Sequence, residues 1–149
     1  MKPAEWPRVA IAIALMVPVA ACSSSPADPG LDPDPGAATV VAEVGSTFEL
    51  RPGQTARVGS SGLVVGFRGV ASDSRCPVDV TCVWAGDAAL RIPMAMRGGD
   101  WTPFDLHTTL EPRSATYSGF TVTVVGLAPD PRSGQQISGD RYTVTLRVE

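Results

Sequence analysis

Hydrophobic and polar residues alternate with a period of two along most of the chain after residue 38, and no helical period of useful length occurs there. The last segment, residues 141–149, shows the pattern most clearly. Its apolar positions are Tyr142, Val144, Leu146 and Val148. Alternation of this kind places one face of a strand in a core and the other in solvent. We therefore predict a domain built from β-strands.

Turns rich in glycine and proline separate the alternating segments. The predicted strands cover residues 47–51, 55–58, 63–70, 87–97, 101–110, 120–127 and 141–149. Short strands with one buried face favour two antiparallel sheets packed face to face. We predict an all-β, two-sheet antiparallel β-sandwich over residues 39–149, Ig-like in general architecture, with a closed β-barrel as the alternative. Within it, residues 47–58 are predicted to form a hairpin.

The composition agrees with this class and narrows the partners. The chain has 149 residues, with 15 glycines and 14 prolines, which suits many turns between short strands. The formal net charge is −3, and the sequence contains no basic cluster. Since a nucleic-acid-binding surface is usually strongly basic, we expect no nucleic-acid partner.

Residues 1–21 have the organisation of a secretory signal peptide. Lys2 and Arg8 provide a cationic start, and an apolar run follows over residues 9–19. The run is shorter than the ~20 residues that a helix needs to span a bilayer, and it has the length typical of a secretory leader. We therefore predict export of the chain.

The four residues Val19-Ala20-Ala21-Cys22 resemble a bacterial lipobox, which has an aliphatic residue, two small residues and a cysteine. The resemblance implies cleavage before Cys22 and a thioether-linked diacylglycerol on its sulfur. The expected location is then the cell membrane, on its extracytoplasmic side, with the N-terminal lipid as the membrane contact. The alternative is an ordinary secreted protein that is cut nearby and carries an incidental cysteine.

Residues 22–38 are rich in proline, aspartate and glycine, and Leu31 is their one sizeable apolar side chain. Such a segment cannot build a hydrophobic core, so we predict an extended tether. At ~3 Å per residue, it could hold the domain up to ~50 Å from the membrane.

Two cysteines, Cys76 and Cys82, lie six positions apart in a chain that we predict to be exported, and a disulfide between them is expected. The chain-entropy model gives so short a closed loop only ~2 kcal/mol of stabilisation. We therefore expect the disulfide to fix the shape of residues 77–81. Gly86 predicts a β-bulge or a close approach between backbones.

A loop that is rigidified on a β scaffold is a common binding site, so this segment is the candidate binding loop. Its candidate residues are Asp73, Arg75, Asp79 and Trp84. We expect Asp73 and Arg75 to form local hydrogen bonds or an ion pair that positions the loop. We expect Trp84 to lie on a strand and to pack over the disulfide or the core.

The strings Asp-Ser-Arg-Cys-Pro, residues 73–77, and Cys-Val-Trp-Ala-Gly, residues 82–86, resemble a motif of small secreted or lipid-anchored bacterial proteins. The pattern of strands around the motif is also similar. The resemblance implies a disulfide-bearing β domain. It implies no enzymatic activity.

Two metal sites are alternatives to a binding loop. Met94 and Met96, with His107, offer soft ligands for Cu(I), although both methionines share a strand face with apolar residues and core packing explains them better. Asp73, Asp79 and Asp87 could hold Ca²⁺ if the fold brought them together. The three aspartates show no ordered ligand spacing, and we expect no resident cofactor.

A catalytic arrangement is also conceivable around His107, the one histidine of the chain. Asp105 lies two residues away on the same strand face, and serines are abundant. However, the chain lacks the Gly-x-Ser-x-Gly sequence of a nucleophile elbow, and such a pair usually belongs to a solvated face. We therefore expect a binding module of the cell envelope, with an envelope protein as partner, and no enzyme. A small-ligand or metal-binding lipoprotein is the alternative.

The lipobox leads to a direct prediction. Replacing Cys22 by serine removes the sulfur that would carry the lipid, so Cys22→Ser should move the protein from the membrane fraction to the soluble fraction. Fractionation of cells followed by immunoblotting measures the distribution. A variant that stays with the membranes would contradict lipid anchoring at this residue.

Overall fold

The computed structural model describes residues 40–149, so Cys22, the signal peptide and most of the predicted tether lie outside the described residues. The described chain forms β-strands and one short 3₁₀ helix, Gly139–Arg141. The strands are β1 (Val40–Ala42), β2 (Thr47–Leu50), β3 (Thr55–Val58), β4 (Leu63–Gly66), β5 (Gly69–Asp73), β6 (Ala88–Arg91), β7 (Met94–Met96), β8 (Asp105–His107), β9 (Ser114–Tyr117), β10 (Phe120–Ala128) and β11 (Thr143–Val148). No helix among these residues is long and apolar enough to cross a bilayer.

The strands form three hydrogen-bonded sheets, with the orders β1-β3-β4-β7, β2-β11-β10-β9 and β5-β6-β8. Neighbouring strands are antiparallel, except that β1 runs parallel to β3. Among the described strands, no sheet closes on itself. The prediction of an all-β antiparallel sandwich is therefore confirmed, and the alternative of a closed barrel is not what the chain forms.

The first and third sheets are joined by a bent pair of strands. The segments 63–70 and 87–97, each predicted as one strand, cross from one sheet to the other and so divide into β4 and β5 and into β6 and β7. Backbone pairing continues through the bend, because Gly66 donates to the carbonyl of Pro93 at 2.8 Å and Arg68 donates to that of Arg91 at 2.9 Å. Since proline has no N–H to donate, Pro93 fits at the corner, where the regular ladder ends.

The predicted hairpin over residues 47–58 is wrong. β2 pairs with β11, whereas β3 pairs with β1 and β4, so the two strands belong to different sheets. At the turn between them, Gly53 donates to the carbonyl of Phe67 at 2.7 Å, and Phe67 donates to that of Gln54 at 3.0 Å. These bonds hold the turn, at which the chain passes from the second sheet to the first, against Phe67.

All three sheets contribute to a single buried core. Its largest fully buried side chains are Phe67, Leu50, Leu63, Leu90, Ile92, Met94, Leu106 and Leu146. The alternation predicted for the last strand is confirmed, since Tyr142, Val144, Leu146 and Val148 are all buried. Met94 is completely buried in this core and Met96 packs against it, which confirms the packing interpretation of these methionines.

Candidate functional site

The disulfide-bearing segment, residues 74–87, leaves the third sheet at the end of β5 and returns at the start of β6. Backbone hydrogen bonds join its two arms: Ser74 donates to the carbonyl of Asp87 at 2.7 Å, and Cys76 donates to that of Ala85 at 2.8 Å. The Ser74 hydroxyl also donates to the carbonyl of Asp87 at 3.0 Å. The segment therefore projects from the sheet on a narrow, closed base.

Gly86 makes this narrow base possible. Its φ is +71°, and a Cβ atom at this position would lie 2.0 Å from the backbone oxygen of Ser74. No side chain fits in that space, and left-handed backbone is disfavoured for residues other than glycine. The close backbone approach predicted from the sequence is confirmed.

The predicted disulfide between Cys76 and Cys82 is also confirmed, with an S–S distance of 2.13 Å and a Cα–Cα distance of 6.0 Å. It closes the loop of residues 77–81 at the outer end of the segment. Within the loop, Val80 donates to the carbonyl of Pro77 at 3.3 Å. Cys82 is exposed to solvent.

Asp73 and Arg75 form the ion pair expected from the sequence. The guanidinium Nε donates to Oδ1 of Asp73 at 2.9 Å, and Nη2 donates to Oδ2 at 2.7 Å. Both side chains are only 12% exposed. This two-bond geometry is the strong form of an arginine–carboxylate contact, because it fixes orientation as well as distance.

The same guanidinium reaches across to the end of β10. Nη1 donates to the carbonyl of Leu127 at 2.6 Å, and Nη2 donates to that of Pro129 at 2.9 Å. The hydroxyl of Tyr142, the residue before β11, donates to Oδ2 of Asp73 at 3.0 Å. We call these five residues the Arg75 network; it joins the base of the disulfide segment to the connection between β10 and β11.

The charges of the network are stable at neutral pH. Burial raises the pKa of the Asp73 carboxyl, but the hydrogen bonds and positive charge of Arg75, with the Tyr142 hydroxyl, outweigh that effect and hold the pKa below its usual value. Burial, and then the hydrogen bond to the Asp73 carboxylate, raises the pKa of Tyr142. The tyrosine therefore stays neutral and donates its proton to the carboxylate.

A second set of contacts holds the outer part of the loop against residues 129–134. Val78 donates to the carbonyl of Pro131 at 3.0 Å, and the Ser133 N–H donates to Oδ1 of Asp79 at 2.8 Å. The carboxylate of Asp79, a candidate binding residue, thus accepts a hydrogen bond within the chain. Its observed role is to position the loop.

Four apolar side chains of the segment are exposed. We define the apolar loop surface as Val78, Val80, Val83 and Trp84, whose exposed fractions are 56%, 47%, 104% and 56%. The expectation that Trp84 lies on a strand is wrong, because no strand forms between β5 and β6. At 56% exposure the side chain is not buried in the core either, and packing over the disulfide stays a prediction.

His107 has a buried carboxylate partner, although not the neighbour that the sequence suggested. Its Nδ1 lies 2.6 Å from Oδ2 of Asp87, which is 7% exposed. The other oxygen of Asp87 accepts from the backbone N–H groups of Thr109 and Leu110 at 2.9 and 3.2 Å. His107 lies opposite Ala89 in the sheet, which places Asp87 within reach, whereas Asp105 is exposed.

These contacts determine the charge of Asp87 and the direction of its hydrogen bond with His107. Burial raises the pKa of Asp87, but the hydrogen bonds from His107, Thr109 and Leu110 outweigh it and lower the pKa to about 2. The ionised carboxylate only accepts, so Nδ1 of His107 donates to it. In the neutral imidazole, Nε2 is then the acceptor. The residues are 20 positions apart, and no sequence motif links them.

The three candidate calcium ligands do not converge on a metal site. Among residues 40–149, no group of three or more histidine, cysteine, aspartate or glutamate side chains could hold a metal ion. The three candidate calcium ligands, Asp73, Asp79 and Asp87, instead contact Arg75, Ser133 and His107, respectively.

Comparison of the chain with protein-family models, with curated proteins and with solved structures gave no match.

The geometry of Gly86 gives a stability prediction. Gly86→Ala places a Cβ into the Ser74 carbonyl, so the base of the segment must open. We expect a loss of more than about 3 kcal/mol of unfolding free energy, from steric overlap added to backbone strain. Urea denaturation of both proteins measures it.

Gly98→Ala is the matched control. Gly98 has a similar φ of +77°, but no atom lies within 4 Å of its Cβ position. Gly98→Ala should therefore lower the unfolding free energy only by the strain of a left-handed alanine, roughly 1–2 kcal/mol. Equal losses for the two variants would show that the close approach at Gly86 does not matter.

The Asp87–His107 pair gives a pH prediction. Because the folded-state pKa of Asp87, about 2, is below its ordinary value of 3.8, its contribution to stability is complete above pH 3.8 and is lost as pH falls through about 2. In Asp87→Asn, the unfolding free energy should therefore fall less between pH 7 and pH 2 than in the wild type, by up to about 2 kcal/mol. Urea denaturation from pH 7 to 2, with Asp105→Asn as control, measures this. An acid limb as steep as in the wild type would contradict it.

Proposed function

We propose that the chain is a lipid-anchored binding module on the extracytoplasmic side of the cell membrane, and that it recognises an envelope protein through the apolar loop surface. The observation that carries the proposal is the exposure of Val83 and Trp84. These two residues lie between Cys82, which the disulfide holds, and Ala85, whose carbonyl accepts a hydrogen bond from Cys76. An exposed apolar group held in this way is typical of an interaction site.

The physical chemistry of the surface favours a protein as the partner. Tryptophan is enriched among the residues that dominate the binding energy of protein interfaces, since one rigid side chain buries a large area. A loop that is ordered before binding also loses less conformational entropy when the complex forms. Trp84, with the fully exposed Val83 beside it, provides such an anchor.

The N-terminal segments support the location. The lipobox at Cys22 supports a lipid anchor, and a tether over residues 22–38 would let the domain reach up to ~50 Å from the bilayer. A partner would then be a protein of the membrane or of the layer next to it. The proposal needs no cofactor and no catalytic group.

In-cell cross-linking of the full-length protein, followed by mass spectrometry, tests the proposal. We expect one dominant protein partner in the wild type and at least a tenfold loss of it in Trp84→Ala, because truncation of an interface anchor costs about 2 kcal/mol or more. Val125→Ala is the control, since Val125 is 51% exposed on β10 and lies outside the loop.

Two outcomes would overturn the proposal. One is the absence of any partner above background in the wild type. The other is equal recovery of a partner in Trp84→Ala and in Val125→Ala, which would place the contact elsewhere. Membrane fractionation of the same cells shows whether each variant is found in the same cell fraction as the wild type.

A further inference from the structure

The structure assigns a second binding site to the cleft between β5 and residues 131–139, and we infer that this cleft takes an extended, uncharged polypeptide segment that adds to β5 as a new strand. The site goes beyond the proposed function, because the apolar loop surface does not line the cleft. A peptide could therefore bind there whether or not Trp84 has a partner.

The cleft has the volume of a ligand site. Its volume is about 630 Å³, which lies in the range of about 300–1,000 Å³ usual for ligand sites. One wall is formed by Val70, Ala71, Ser72 and Asp73 of β5, and the other by Gly134 to Ile137, with Gly139. Four strand residues span about 13 Å, so about four residues of a peptide could lie along β5.

β5 presents a free sheet edge to the cleft. The sheet has the order β5-β6-β8, so β5 has a strand neighbour on one side only. Within residues 40–149, no backbone hydrogen bond joins Val70, Ala71 or Ser72 to the opposite wall. The edge of a strand carries N–H and C=O groups that an extended peptide can pair with, and this is a recurring mode of peptide recognition.

β5 carries a β-bulge beside the cleft. The register between β5 and β6 shifts between Val70 and Ser72, so Ala71 is the extra residue. Ala71 and Ser72 are consecutive and both exposed, which a regular strand with one buried face does not allow. Bulges of this kind are frequent at sheet edges and beside binding sites.

The charges of the lining fit an uncharged ligand. The polar side chains are the amides of Gln135 and Gln136 and the hydroxyl of Ser72, and no lysine or arginine lines the cleft. The one carboxylate, Asp73, is already paired with Arg75. Among the residues that line this cleft, a charged ligand would find no free counter-charge, whereas a peptide backbone can use the amides as both donors and acceptors.

The floor of the cleft favours a peptide over a sugar chain. Tyr142 is the aromatic residue of the lining, but it is only 7% exposed and its hydroxyl is bonded to Asp73. It therefore presents little ring surface for stacking. The half-buried side chains of Val70 and Ile137 provide apolar contacts for alternate side chains of an added strand.

The test uses the full-length protein, ¹⁵N-labelled and held in detergent micelles. The probe is a library of acetylated, amidated hexapeptides whose four central positions sample the uncharged residues. We expect members of the library to slow hydrogen exchange at the backbone amides of β5. N-methylation of alternate peptide amides should weaken these members at least tenfold, because it removes the donors that pair with the strand edge.

Matched variants locate the site. Ala71→Trp fills the cleft from its β5 wall and should weaken peptide binding at least tenfold. Val125→Trp is the control, because Val125 is likewise an exposed residue at a bulge, in β10, outside the cleft. Trp84→Ala should leave peptide binding unchanged, so failure here and failure of the proposed loop contact are separate results.

Several results would overturn the inference. They are no change at β5 with any member of the library, equal binding of the N-methylated peptides, undiminished binding by Ala71→Trp, and protection of β5 by an oligosaccharide such as chitohexaose in place of peptides. The amide spectrum of each variant shows that it is folded.

Discussion

The largely buried ion pair between Asp73 and Arg75 is the contact on which both candidate sites depend. Burying two opposite charges costs free energy, and the cost is recovered only if the remaining donors and acceptors are satisfied. Here the guanidinium also donates to the carbonyls of Leu127 and Pro129, and Tyr142 donates to the carboxylate. The pair thereby joins two sheets, supports the base of the disulfide segment and forms part of the wall of the cleft beside β5. The disulfide shapes only the outer loop.

The sequence predicted the fold class because burial on one face leaves a period-two pattern. It did so best at β11 and β10, where polar and apolar residues alternate. It failed at the corner between β4 and β5, because every residue of Leu63–Gly66 is buried and a continuous apolar run gives no sign that the chain changes sheets. It failed at Pro52-Gly53 for a related reason: these residues predict a turn, but not whether the flanking strands pair.

The candidate site was predictable only where its contacts are local. The disulfide, the approach at Gly86 and the Asp73–Arg75 pair all lie within one segment of 14 residues, so spacing and residue type were informative. The partner Tyr142 lies 69 residues from Asp73, and no pattern in the sequence connects them. For Trp84 the sequence suggested a position on a strand, and no strand forms there. Hydrophobicity alone suggests burial and cannot show that the residue lies on a projecting segment.

Hydrogen exchange at the backbone amide of Val78 tests the central role of Arg75 most directly, because this amide reports whether the loop stays on the carbonyl of Pro131. In Arg75→Met, which keeps much of the side-chain volume but removes the charge, we expect exchange at Val78 to accelerate at least tenfold. The amide of Val144, a fully buried residue of β11, should remain protected, which would exclude global unfolding. Unchanged protection of Val78 in a folded variant would contradict the account.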